Sequence, residues 1–304
     1  MKSRVFITGG SGLLALNWAM AIKEQSEVTL GIHDREIAPA GISTKKVDIE
    51  SVDNIIRVFE VLQPKIVIHT AGLTNVEQCE AKPELAKHIN VKLAANVAEA
   101  CAKLHVSLVH ISTDHLFSGA TSLVDESYPL SPVNVYGKTK AEAECHVLEA
   151  YPEALVIRTN FYGWGTSYRR SFSDTVIQEL RAGKELTLFN DVTYTPILAE
   201  AVAKSVHDLI DHKAAGIFHI VGDDRLSKHE FGLKLAQEFN LNSNLIKSGY
   251  ITDRTSLIQR PNDMSLSNQK ACKLLGRKLD GVSLHLARLH QQEKNGLAQE
   301  LKKL

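Results

Sequence analysis

Short apolar runs alternate with longer amphipathic stretches through the first half of the chain. Residues 5–7, 28–32, 66–68, 106–111 and 155–157 are rich in β-branched side chains, and several are bounded by turn-forming residues, so they predict buried strands. Between them, residues 13–25, 51–62, 83–104 and 133–149 predict helices. Ser51 suits an N-cap, Pro64 stops the second helix, and Pro83 suits the first position of the third. Strand and helix in regular succession imply right-handed crossovers and a parallel sheet covered on both faces. Past residue 165 the rhythm changes. Residues 171–182, 197–211 and 228–239 predict helices, residues 216–221 one further strand, and residues 240–261 an irregular polar stretch. Residues 282–304 read as a charged surface helix or a loosely held tail. The expected organisation is an α/β domain over 1–165 and a smaller, mainly helical domain over 166–304. Helix 197–211 and strand 216–221 are expected to return to the first.

Composition narrows the partner. The 304 residues carry 35 basic and 35 acidic side chains. A balanced chain lacks the basic footprint of a nucleic-acid binder. No run approaches the roughly 18–20 apolar residues that span a bilayer, and the first apolar run is too short for a signal peptide. A cytoplasmic protein with a small-molecule partner is expected. Four scattered cysteines without a C-x-x-C pair suit a reducing compartment. Thirteen histidines show no H-x-x-x-H spacing, so no metal centre is expected.

The first predicted strand runs into Thr8-Gly9-Gly10-Ser11-Gly12-Leu13-Leu14-Ala15, which opens the first helix. Glycines there permit a tight turn and close backbone approach, and a helix N-terminus attracts a diphosphate. This is the context of a dinucleotide site on a doubly wound parallel sheet of the Rossmann type, with Gly9, Ser11, Gly12 and Leu13 at the phosphates. After the second strand come His33-Asp34-Arg35. A strand-end carboxylate would select NAD(H), an arginine NADP(H). Asp34 falls a residue or two late, so Arg35 is favoured and NADP(H) expected, with NAD(H) as the alternative.

Tyr136 and Lys140 lie four apart on a predicted helix, which stacks them on one face. A nearby ammonium is expected to lower the phenol's pKa and fit it for proton exchange with a substrate oxygen. Ser112-Thr113-Asp114 leave the strand 106–111 at the sheet's carboxyl edge, where open parallel sheets bind ligands. A hydroxyl there can position the reacting oxygen against Tyr136.

These motifs together resemble an extended short-chain dehydrogenase/reductase, and specifically the dTDP-4-dehydrorhamnose reductase family. The residues that carry the resemblance are Thr8-Gly9-Gly10-Ser11-Gly12, Ile68-His69-Thr70-Ala71-Gly72, Ser112-Thr113-Asp114-His115-Leu116-Phe117, and the run from Ser131-Pro132 through Tyr136-Gly137-Lys138-Thr139-Lys140. Arg158-Thr159, Gly216-Ile217-Phe218-His219 and Arg260-Pro261 match later landmarks, for coverage of about residues 3–276. The resemblance implies catalytic roles for Thr113, Tyr136 and Lys140. It places Asp48 and Ile49 beside an adenine, and Ala71 and Gly72 at the cofactor ribose and phosphates. Thr74, Asn75, Val76, Asn160 and Phe161 would border a sugar, and Arg260 would anchor the diphosphate of a sugar nucleotide. Homodimerisation is left open. Two departures stand out: Leu13-Leu14-Ala15 replaces the family's G-Q-x-G continuation, and Phe161 stands where a tryptophan often covers the sugar. The chain is also similar to the regulatory β subunit of methionine adenosyltransferase, so a dinucleotide-bound regulatory subunit is the rival reading, and a sugar-nucleotide epimerase a third.

Overall fold

The computed structural model describes residues 2–253 and 257–304; residues 254–256 of the stretch expected to be irregular lie outside the described residues. The first part of the chain forms β1 (Ser3–Thr8), α1 (Leu13–Ile22), β2 (Ser26–Ile32), β3 (Ser43–Lys46), α2 (Val52–Leu62), β4 (Ile66–His69), α3 (Val76–Ala81), α4 (Pro83–Lys87), α5 (Leu93–Leu104), β5 (Ser107–Ile111), α6 (Val135–Ala150) and β6 (Leu155–Arg158). Then follow β7 (Phe161–Tyr162), α7 (Phe172–Arg181), β8 (Leu186–Phe189), β9 (Thr193–Tyr194), β10 (Ile197–Leu198), α8 (Ala199–Asp211), β11 (Gly216–His219), β12 (Leu226–Ser227), α9 (Lys228–Glu238), β13 (Ile246–Gly249), α10 (Gln269–Leu275), α11 (Val282–Lys294) and α12 (Leu297–Lys302).

Seven strands form one sheet in the order β11-β6-β5-β4-β1-β2-β3, and every pairing in it is parallel. Strand order reverses at the β1–β4 boundary, so connections leave to opposite sides and open a crevice at the carboxyl ends of those two strands. One apolar layer packs α1, α8 and the C-terminal helices against the sheet, and the other packs α2, α5 and α6. The fold is thus a doubly wound α/β sheet followed by a smaller, mainly helical part.

Local chemistry sets the element ends. The Ser51 hydroxyl accepts from the Asn54 amide at 3.3 Å, and Gln63, just before Pro64, takes a left-handed conformation. Ser171 and Ser227 cap α7 and α9, each through a reciprocal capping box.

Several expectations change. The first helix ends at Ile22 rather than residue 25, because the chain must turn into β2 at Ser26. The helix predicted over 83–104 is broken: His88–Lys92 form a single π turn between α4 and α5. The turn carries Asn90, whose buried amide accepts from the Leu73 N–H at 2.7 Å and donates to the Leu73 carbonyl at 3.1 Å and to Thr139 Oγ1 at 3.0 Å. Residues 197–198 are strand, and α8 begins at Ala199. The stretch 240–261 contains β13, which pairs with β8.

Residues 282–304 are neither a surface helix nor a loose tail. Val282, Leu286, Leu289, Ala298 and Leu301 are buried in the main core, and the Trp164 indole donates to the Leu289 carbonyl at 3.1 Å. Among the described residues no helix is long and apolar enough to cross a membrane.

Candidate active site

The glycine turn sits at the switch point. Gly9 has φ +64°, and a methyl group there would lie 2.8 Å from the Ala71 nitrogen; only glycine lets β1 and the β4 loop approach this closely. The Gly10 amide donates to the Gly31 carbonyl at 2.8 Å, and the Gly12 amide to Gly9 at 2.7 Å, which aims the start of α1 at the crevice. A cleft of about 680 Å³ opens here. Gly9, Ser11, Gly12, Leu13, Arg35, Ala71, Gly72, Thr74, Val76, Thr113, Tyr136, Asn160 and Phe161 all line it. Asp48 and Ile49 line an adjoining slot of about 320 Å³, which shares Gly9, Ser11 and Ala71 with the cleft. A diphosphate at the glycine turn with a flat heterocycle in the slot would follow this continuous track. Asp34 turns to solvent beside His33 at 2.9 Å.

Three predicted site residues stand elsewhere. Asn75 is exposed and caps α3, accepting from the Gln78 amide at 2.7 Å. Arg260 is tied to Glu77 of α3 and does not line the cleft. Lys140 lies beneath the cleft floor, 5% exposed. Its ammonium donates to the Ile111 carbonyl at 2.7 Å and to His110 Nε2 at 3.3 Å.

Asn134 caps the start of α6, its side chain accepting from the Gly137 amide at 2.9 Å. Within the first turn, Tyr136 is buried against Val76, Cys79 and Ala86. The expected lowering of its pKa is not found: burial pushes the phenol up, and the neighbouring Thr113 opposes this only in part. The reason is geometric, since the Lys140 ammonium is spent on Ile111 and His110 rather than on the phenol. Burial instead acts on Lys140 itself, bringing it down to about 8 against the pull of Glu144 one turn further on.

Several cleft residues escaped the sequence reading. His69 and His110 stack 5.4 Å apart under the floor. Burial and the Lys140 charge hold His69 down at about 3 and His110 well below the imidazole range, so both rings are neutral. Asp114, 2% exposed, holds the Asn160 amide. Ser112 Oγ, His115 Nδ1 and Thr159 Oγ1 are buried without a partner among the described residues, and all three residues line the cleft. Unpartnered buried polar atoms are costly and mark where a polar ligand would be satisfied. Tyr168 and Arg169 reach over from the segment between β7 and α7. The Tyr168 hydroxyl donates to the Ser11 carbonyl at 2.9 Å, and Arg169 donates to Thr74 Oγ1 at 2.8 Å.

Behind Lys140, the Arg158 guanidinium meets Glu144 at 2.7 Å, with both side chains 2% exposed. Arg158 also lies 3.3 Å from His219 Nε2.

Comparison with known proteins bears on this architecture. The chain is 30% identical over 260 residues to the "Probable low-salt glycan biosynthesis reductase" of Haloferax volcanii, covering 84% of this chain and 87% of that protein. It is 29% identical over 275 residues to methionine adenosyltransferase 2 subunit beta of Mus musculus, covering 88% and 81%. The crystal structure of dTDP-4-dehydrorhamnose reductase from Bacillus anthracis in complex with NADP superposes with a TM-score of 0.85 at 26% identity, covering 96% of this chain and all of that one. A family model described as the RmlD substrate binding domain matches residues 3–294, further than the 3–276 read from motifs and into α11. A match over nearly the whole chain, on this sheet and this cleft, places the protein: it belongs to the RmlD substrate-binding-domain family.

Proposed function

We propose that this chain is an NAD(P)H-dependent reductase that acts at the C4 carbonyl of a nucleotide-linked 4-keto-6-deoxysugar. The observation that carries the reading is that Thr113 and Tyr136 line the same cleft as the glycine turn. The residues present fit a dinucleotide. Gly9, Ser11 and Gly12 line the cleft at the start of α1, and the slot at Asp48 and Ile49 continues from it. Gly9, Ser11, Gly12 and Leu13 would hold the diphosphate, Ala71 and Gly72 the neighbouring ribose, and Asp48 and Ile49 the adenine. Arg35 favours NADP(H) over NAD(H), since Asp34 faces solvent. Bound there, a reduced nicotinamide would supply the hydride for the carbonyl carbon.

The chain's own groups handle the proton. Thr113 and Tyr136 donate hydrogen bonds to the carbonyl oxygen, strongest as negative charge develops there. Tyr136 then gives its proton to that oxygen. A phenol held protonated by burial is in the correct state for this step, whereas a standing phenolate would not be. Lys140 brings positive charge beneath the floor, where it opposes the charge left on the phenol. In this reading residues 1–165, with α8 and β11, hold the coenzyme. The rest of 166–304, with Thr74, Val76, Asn160 and Phe161, encloses the sugar nucleotide.

The test is Tyr136→Phe, assayed by NADPH oxidation with dTDP-4-keto-6-deoxy-sugars. General acid catalysis contributes about 100- to 10,000-fold, so turnover falls at least ~100-fold with the melting temperature preserved. Retention of activity refutes the mechanism. The similarity to a methionine adenosyltransferase subunit favours a second reading, a dinucleotide-bound regulatory subunit. Under that reading the wild-type chain binds NADPH, turns over no sugar nucleotide, and copurifies with a partner enzyme.

A further inference from the structure

Arg35 leaves β2 on an exposed loop, yet its guanidinium is not loose: it lies 3.9 Å over the ring of Tyr168. Tyr168 belongs to a different region of the chain, between β7 and α7. It is anchored independently, its hydroxyl donating to the Ser11 carbonyl at 2.9 Å. The carboxylate adjacent to Arg35, Asp34, turns away to His33. Stacking occupies the face of a guanidinium and leaves its in-plane N–H donors available, the edge that meets phosphate oxygens in bidentate fashion. Arg35, Tyr168, Ser11 and Gly12 line the same end of the cleft, at the start of α1.

We propose that Tyr168 is a positioning residue for coenzyme selectivity. It holds Arg35 as a preformed fork for the 2′-phosphate that distinguishes NADPH from NADH. The inference rests on the dinucleotide reading and adds a residue from outside the nucleotide-binding motif. An arginine without the stack must be ordered anew when the phosphate arrives, and long side chains lose substantial rotamer freedom on ordering. NADH, which lacks that phosphate, gains nothing from the ordered arginine, so Tyr168 should act on one coenzyme and not the other.

The test is equilibrium binding of NADPH and NADH to the full chain by calorimetry, with no sugar substrate present. Wild type binds NADPH more tightly than NADH. Tyr168→Leu weakens NADPH about three- to fivefold, the worth of an exposed cation–π contact, and leaves NADH within about twofold. Tyr168→Phe keeps the ring and retains the NADPH preference. In an Arg35→Leu background Tyr168→Leu has no further effect on NADPH, because the pair acts as one unit. Equal weakening of both coenzymes by Tyr168→Leu overturns the proposal, showing a strap that merely supports the cleft. No change with either coenzyme also overturns it. A wild type that binds neither coenzyme refutes the dinucleotide reading itself, an outcome separate from the other two.

Discussion

Glu144→Gln removes one charge from a pair that has almost no solvent to fall back on. Arg158 donates through Nε to Oε1 at 3.0 Å and through a terminal nitrogen to Oε2 at 2.7 Å. The other polar neighbour recorded for it is His219 Nε2, at 3.3 Å. Burial and the Arg158 charge hold His219 down at about 3, so that ring is neutral and offers no countercharge. Stranding one member of a buried pair costs about 3–5 kcal/mol. Glutamine keeps one carbonyl acceptor, which places the cost near the lower end, ~3 kcal/mol. At roughly 2–4 °C per kcal/mol for a chain of this size, the melting temperature falls by about 6–12 °C. A second effect runs along α6, which carries both Lys140 and Glu144. Glu144 supports the Lys140 ammonium, so its removal lets Lys140 sink further below about 8. Urea titration measures the first effect, and the pH dependence of kcat/KM the second. Glu144→Leu with Arg158→Met recovers most of the stability, because no charge is then left stranded. A single variant that melts within about 2 °C of wild type, with an unshifted pH profile, would show that the pair contributes nothing.

Three further outcomes are expected. If the Lys140 ammonium supports Tyr136, kcat/KM for carbonyl reduction is level at lower pH and declines as pH rises through about 8, and a decline that begins only near 10 contradicts this. Stability moves the other way. Unfolded lysine keeps its proton to about 10.5 while the folded form releases it near 8, so the unfolded state holds more protons and stability rises across that window. Gly9→Ala forces a Cβ into a left-handed residue at ~1–2 kcal/mol, besides the 2.8 Å approach to Ala71. A thermal-shift titration with NADPH should then lose most of the ~2.7 kcal/mol that 100 times the dissociation constant provides. A full shift in the variant would remove the glycine turn from the coenzyme site.

The sheet was legible because most of its strands are buried on both faces and read as short β-branched runs. β3, Ser-Thr-Lys-Lys, was not, since an exposed polar edge strand has no apolar signature. The glycine turn and the Tyr136/Lys140 spacing were legible because turn and helix geometry are local. What Lys140 touches was not, because its acceptors come from β5, some thirty residues earlier in the chain. Nothing local marks His69 and His110 as partners, and only the parallel register of β4 and β5 stacks them. Tyr168 and Arg169 sit in an irregular segment with no periodicity. The burial of α11 did have a signal: Val282, His285, Leu286 and Leu289 fall at helical spacing, masked by the charged residues around them.

The π turn at His88–Lys92 bears on how relatives of this chain can be aligned. An α-helix turns by about 100° per residue, so a turn holding one extra residue rotates everything on one side of it by that angle relative to the other. Removing a single residue between 88 and 92 would straighten the helix and lengthen nothing. It would also swing Asn90 off Leu73 and Thr139, leaving the loop after β4 and α6 without their shared amide. Gap placement here is therefore a structural character. A one-residue deletion in this turn would require another side chain to bridge the loop after β4 and α6.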